Sequence, residues 1–390
     1  MKVVTRLTSQ QGQALTAVSS RSSLADAMAS PITPKLIRRG LELFALISVV
    51  GFVGMLLYGN NLQEFLGAMS SLSWPWVIVS LGLASMDWLG GGLRLYVFAR
   101  RLKRDIPLKG CFVAGGMTAF AGYVTPAQSG SGPMMIYTLN RHGLPLPQAM
   151  ITALMSLIAT VLFFSAAGPT AVFLGAGQSL GAHGVLAGVS LNDLFRASLG
   201  GFVTIGSVML LFIVFPGVAR RIARRLVSLF EKRGNQKLAE RIEGLRGGID
   251  RAHESLVAFF RVSGWLSLLG GVALTGFAFA NRLLAGYVVL RMLGIHAPFV
   301  DVLLLQTFIV FLLYFAPTPG GSGVAEVLSA AVMSIYVPRE LTPSYILLWR
   351  IVVSYLTVGF GSFVFWQWLR GAEGRADTDL QDIQEHPRGD

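Results

Sequence analysis

Residues 96–132 are written a second time, 191 positions later, as residues 287–323. Laid over one another without a gap, Tyr96 meets Tyr287, Val97 meets Val288, Arg100 meets Arg291 and Leu102 meets Leu293. Pro107 then meets Pro298, Phe120 meets Phe311, Tyr123 meets Tyr314 and Pro126 meets Pro317. The tripeptide Gly130-Ser131-Gly132 closes the match on Gly321-Ser322-Gly323, for eleven identities in 37 positions. In each copy an apolar run breaks into a Pro/Gly/Ser segment and then resumes. Broken hydrophobic segments placed correspondingly in two halves of a chain are the best sequence pointer to a transport site in a membrane protein.

The 390 residues are 53% hydrophobic and 13% charged, half the charge of an ordinary soluble domain. Several runs approach the ~20 apolar residues that cross a bilayer. The sequence therefore predicts an all-α polytopic membrane protein. Spanning helices are expected at about 41–58, 74–98, 149–173, 194–215, 265–290 and 345–369. Two further segments, 108–140 and 300–337, each hold an apolar run, a break and a short second run. After the first break only Pro133 to Asn140 precede Arg141 and His142. Such a stretch rises about 12 Å as helix, well short of a ~30 Å hydrocarbon core. Both segments are read as re-entrant hairpins.

Charge sets the orientation. Lys35, Arg38 and Arg39 precede the first span, and the connection 216–262 carries eleven Lys/Arg against five acids. The connections 59–73 and 174–193 contain no Lys or Arg. The positive-inside rule puts both termini and 216–262 in the cytoplasm. The two hairpins then start from opposite sides, as an inverted repeat, an arrangement with its site near the midplane. The chain divides into a tail (1–34), a first membrane half (35–215), a basic amphipathic connection (216–262), a second membrane half (263–370) and an acidic tail (371–390). The net charge of +12 sits in loops beside apolar runs, where it sets topology, and nucleic acid is not an expected partner. The single Cys111 excludes an intramolecular disulfide. The scattered histidines offer no HExxH pair, so no metal and no cofactor is expected.

The breaks carry the chemistry. The first runs Thr125-Pro126-Ala127-Gln128-Ser129-Gly130-Ser131-Gly132-Pro133, the second Ala316-Pro317-Thr318-Pro319-Gly320-Gly321-Ser322-Gly323-Val324. Proline stops a helix and glycine permits the turn that follows. Pro133 is expected to open a new helix capped by Gly132, with Val324 as its counterpart. A helix N-terminus at that depth is an anion site, which Gln128, Ser129, Ser131, Thr318 and Ser322 can complete. Gly130, Gly132, Gly320, Gly321 and Gly323 would let the backbone approach a ligand. Glu326 falls at the third position of the second short helix. It serves there as a cap, an arginine partner, or a carboxylate for a substrate amine or proton. Asp87, Arg94, Arg282 and Arg350 lie inside apparent spans, where each costs about 2.5–3.5 kcal/mol at the bilayer centre unless compensated. Asp87 and Arg94 share a helical face and are bridged through another group, or Arg94 reaches for the interface. Glu326 pairs with Arg282 or Arg350, or these cations meet an anionic headgroup.

From Pro317 to Glu326 the chain resembles the membrane region of lysylphosphatidylglycerol synthase, a flippase-like family similar to it over roughly 41–370. The second-half motif PxPGGxGxxE is matched residue by residue. Many relatives carry Gly-Glu followed by an Arg in the first half, where this chain has Gly132-Pro133-Met134-Met135. The resemblance implies a bacterial inner-membrane transporter or flippase for an anionic or phosphate-bearing lipid, not an enzyme. The synthase's soluble aminoacyl-transferase domain has no counterpart in the twenty or so residues after the last span. The competing reading is a lipid-binding accessory subunit of a lipid-modifying or glycan-assembly enzyme. Homo-oligomers fit either.

Overall fold

The computed structural model describes residues 34–59, 62–174, 185–186, 189–214, 264–314 and 316–385. The reading of 1–34 as a tail lies outside the described residues except for Pro34, which opens a helix, and the reading of 216–262 as a basic connection lies outside them entirely. Apart from an antiparallel pair of two-residue strands, Val185–Leu186 with Val189–Ser190, the described elements are helical.

In chain order they are α1 (Pro34–Gly59), α2 (Leu62–Ser70), α3 (Trp74–Ala84), α4 (Met86–Leu102) and α5 (Leu108–Val124). After the first break, at Pro126–Gln128, come α6 (Ser131–Arg141), α7 (Leu146–Phe173) and α8 (Leu191–Val214). The second half holds α9 (Gly264–Ala278), α10 (Ala280–Met292) and α11 (Phe299–Tyr314). The second break, Pro319–Gly321, leads to α12 (Val324–Met333), α13 (Thr342–Arg350), a π-turn at Ile351–Tyr355 and α14 (Leu356–Glu385). Among the described residues, four stretches are long and apolar enough to cross a membrane: Trp74–Leu102, Leu146–Ala171, Gly264–Met292 and Arg339–Arg370.

Three expected spans are interrupted. The helix over 74–98 breaks at Ser85, whose hydroxyl donates back to the Gly82 carbonyl at 2.7 Å and competes with the helical ladder. The helix over 265–290 breaks at Phe279, with φ −90° and ψ 1°. The helix over 345–369 begins at Thr342, widens into the π-turn after Arg350 and continues in α14 to Glu385, into the segment read as a tail.

The halves pack across one another. α4 lies on α5 and α9, and α10 lies on α11 and α3. α5 turns back on α6 and α6 on α7, while α11 turns back on α12 and α12 on α13. The two breaks lie against each other. The largest buried cluster joins Phe164 and Phe202 to Phe308, Phe311, Tyr345 and Trp349. Gln306 ties that core together, accepting from Trp349 Nε1 at 3.0 Å and donating to the Tyr345 hydroxyl at 3.2 Å. A second cluster, with Phe44, Met117, Phe120, Tyr123 and Met134, draws on the helices on either side of the first break, whose own turn residues are not buried. Outer faces are apolar, as with Leu46, Val49 and Val50 on α1, Leu266 and Leu269 on α9, and Phe360 and Phe363 on α14.

Candidate functional site

At each break the chain leaves a helix through a proline and makes one 3-10 turn on left-handed backbone. The left-handed residues are Ala127 (φ 49°) and Gln128 (φ 55°) in the first, Gly320 (φ 58°) and Gly321 (φ 67°) in the second. The equivalent turns, Pro126–Gln128 and Pro319–Gly321, are thus 193 positions apart. The ungapped match holds for α5 and α11, which start at Leu108 and Phe299, but the breaks are offset by two more residues. Gly130-Ser131-Gly132 and Gly321-Ser322-Gly323 are therefore not structural equivalents. Gly130 caps α6 and Gly323 caps α12, so Pro133 occupies the third helical position rather than the first, and Gly132 lies inside the helix. Pro133 and Glu326 are the residues that correspond. Val324 does open its helix as expected.

The second break is held by charge. Glu326 Oε2 accepts the Gly323 N–H at 2.7 Å, which is half of a capping box. Its Oε1 lies 3.0 Å from Arg350 Nε. The Nε–H is not aimed at that oxygen, so the contact is an ion pair without a well-formed hydrogen bond. Arg350 also donates from Nη1 to the Gly320 carbonyl at 3.1 Å and from Nη2 to Ser322 Oγ at 3.1 Å. Phe44 and Tyr355 flank its guanidinium. With Arg350 1% and Glu326 2% exposed, two of the readings for Glu326, cap and arginine partner, are met together by its two oxygens. Among the described residues the first break has no such pair. Its Gly130 N–H goes to Thr125 Oγ1 at 2.9 Å, and Ser131 Oγ donates to the Thr118 carbonyl at 3.1 Å.

A second charge group joins the interrupted helices. Asp87, in the first turn of α4, has Oδ1 3.8 Å from Arg282 Nη2, in the first turn of α10. Asp87 Oδ2 accepts Thr357 Oγ1 at 3.0 Å. The Tyr123 hydroxyl accepts Arg282 Nε at 3.0 Å, and its single proton serves either Val353 O at 2.5 Å or Asp87 Oδ2 at 3.2 Å. Arg282 packs its guanidinium over Tyr123 and Phe279. Among the described residues no side chain bridges Asp87 to Arg94, and Glu326 pairs with Arg350 rather than Arg282. Arg94 stays inside, donating from Nη1 to Thr160 Oγ1 at 2.9 Å and Thr275 Oγ1 at 3.4 Å, so it does not reach for the interface.

Two cavities meet at these groups. The larger, of about 410 Å³, is lined by Asp87, Arg94, Gln128, Ser131, Gly132, Ser156, Thr160, Phe279, Arg282 and Tyr314 among others. The smaller, of about 50 Å³, is lined by Tyr123, Gln128, Arg282, Tyr314, Thr318, Gly320, Gly321 and Arg350 among others. Gln128, Arg282 and Tyr314 belong to both walls. The Thr318 hydroxyl is buried with no hydrogen-bond partner. Gly323, Glu326 and Ser322 line neither cavity, and Ser129 is exposed at the break. Tyr123, Thr160, Tyr314 and Thr357 were not singled out from sequence. Tyr123 and Tyr314 had a signal, since they are one of the matched pairs of the repeat. Among the described residues no three of His, Cys, Asp and Glu cluster, so the donors here are guanidinium, hydroxyl and amide groups.

Residues 42–361 match the family described as "Lysylphosphatidylglycerol synthase TM region". The chain is also 26% identical over 303 residues to a UPF0104 membrane protein of Archaeoglobus fulgidus, an overlap of 74% of this chain and 85% of that one. No solved structure matches.

Proposed function

Because the chain belongs to the family of the lysylphosphatidylglycerol synthase transmembrane region and is an integral membrane protein, we propose that it moves an anionic or phosphate-bearing lipid between leaflets. In this reading the helix–break–helix units are re-entrant hairpins of an inverted repeat, in the bacterial inner membrane, with both termini cytoplasmic. One observation carries it. Exchanging α3 for α9, α4 for α10, α5 for α11, α6 for α12 and α7 for α13 with its π-turn turns the packing of one half into that of the other. The pair α4–α9 becomes α10–α3, and α4–α7 becomes α10–α13. The first break, Asp87 and Arg282 line a cavity within the ~300–1,000 Å³ usual for small-molecule sites, and the second break lines the smaller cavity beside it. Secondary transporters of repeat architecture bind at such a junction, with helix N-termini facing anionic groups. The family's name attaches to a synthase of an aminoacylated phospholipid, which makes phospholipid the first class to test.

The test is reconstitution into vesicles with fluorescent phosphatidylglycerol, followed by leaflet-selective quenching. Protein is expected to speed exchange over empty vesicles, and the charge-neutral pair Asp87→Asn/Arg282→Gln to slow it at least tenfold. Lipid retained through purification without any movement supports the accessory-subunit reading instead. In the same vesicles, with Cys111→Ala, Arg104→Cys should label from the cytoplasmic side and Ser71→Cys from the other. The reverse pattern overturns the orientation.

A further inference from the structure

Resting on the translocation reading, we propose that the larger cavity takes one singly charged phosphodiester headgroup, with Arg94 as its counter-charge. An unanswered charge inside an apparent span is costly. Arg350 is answered by Glu326 at 3.0 Å, and Arg282 by Asp87 at 3.8 Å. Arg94 lies in no ion pair among the described residues. Its Nη1 meets two hydroxyls whose own protons are already spent, Thr160 on the Ser156 carbonyl and Thr275 on the Gly271 carbonyl. These neutral acceptors cannot balance its charge. Its Nε is buried with no partner.

The cavity wall therefore carries Asp87, Arg94 and Arg282, a surplus of one positive charge. An isolated charge in low dielectric is costly, and a ligand that cancels it binds with that cost relieved. A phosphodiester brings one negative charge. A phosphomonoester or diphosphate would overshoot, and a zwitterion would leave the surplus in place. The donors suit the group as well. Ser131 and Gly132 line the same cavity as the first two residues of α6. Their N–H groups have no carbonyl partner within the helix. Pro133 after them has no N–H to offer. Two amides at a positive helix end, facing the same space as a guanidinium, fit an anion's two free oxygens. Gly132 is the open side, since a Cβ built there would meet nothing within 4 Å.

The experiment uses the full chain in nanodiscs of phosphatidylcholine. Fluorescent phosphatidylglycerol is titrated in and competed with phosphatidate, cardiolipin and soluble glycerophosphoglycerol. Phosphatidylglycerol is expected to bind at least tenfold more tightly than phosphatidate. Arg94→Gln should abolish the preference over phosphatidylcholine, and Arg94→Lys should keep part of it. Gly132→Leu should block binding with helix content and thermal midpoint unchanged. Arg94→Gln should also leave the midpoint unchanged or raised, because no carboxylate loses its partner. Competition by glycerophosphoglycerol at matched concentration assigns the same site to a free phosphodiester, and its failure assigns the site to lipid. Wild-type preference in Arg94→Gln, tighter binding of phosphatidate, or a fall in the Arg94→Gln midpoint like that of Arg350→Gln overturns the proposal. Lipid movement that persists without this selectivity overturns the proposal alone. Selective binding with no movement overturns only translocation.

Discussion

Glu326 spends both carboxylate oxygens on its own protein, one on the Gly323 N–H and one on Arg350. Glu326→Gln keeps an acceptor for the cap and deletes the charge that answers Arg350. Removing one partner of a buried ion pair typically costs about 3–5 kcal/mol. We expect Glu326→Gln to lower stability by that order in denaturation of the detergent-solubilised protein. The further exchange Arg350→Met should recover much of it, because the stranded charge goes too. A fully stable Glu326→Gln would mean that the pair is not formed. The residue types at the site were legible in the sequence, since charges inside apolar runs demand an explanation. Their partners were not. Asp87 and Arg282 are far apart in the chain and meet only because two helices break at corresponding places, and nothing at Phe279 marks its break in advance.

At the scale of elements, the apolar runs and the two Pro/Gly breaks foretold helices, interruptions and restarts, because proline and glycine act locally. The register of the breaks was hidden by the repeated Gly-Ser-Gly. The match of letters holds 191 positions apart and the match of backbone 193, since Tyr123 precedes its turn at Pro126 by three positions and Tyr314 precedes Pro319 by five. How closely α4 and α5 approach was equally out of reach. A Cβ on Gly115 would come within 2.4 Å of the Gly92 backbone nitrogen, so the two helices touch backbone to backbone. Small residues allow that approach in membranes, where van der Waals packing holds helices together. Gly115→Val should force the helices apart and cost about 1–3 kcal/mol, the usual range for overpacking. Because α4 carries both Asp87 and Arg94, the same variant should weaken phosphatidylglycerol binding while leaving the Glu326–Arg350 pair intact. Unchanged thermal midpoint and unchanged binding would show that the helices can part without consequence.

Across the whole molecule the two halves share one plan of packing but differ in how their breaks are fastened. The third position of the short helix is Glu326 in the second half and Pro133 in the first. The first break accordingly rests on hydroxyl contacts and holds two residues with side chains, Ala127 and Gln128, in left-handed backbone that favours glycine. Opening free energies within a protein follow such local differences. Hydrogen exchange in nanodiscs should find peptides across 125–135 exchanging at least tenfold faster than those across 317–327. Equal protection would contradict it. On the translocation proposed above, that unequal fastening would divide the labour, the break bolted by its ion pair serving as a fixed jaw and the break latched by hydroxyls as a moving one. Whatever passes between the halves would then be released by the half that carries Pro133, with the other serving as the anvil.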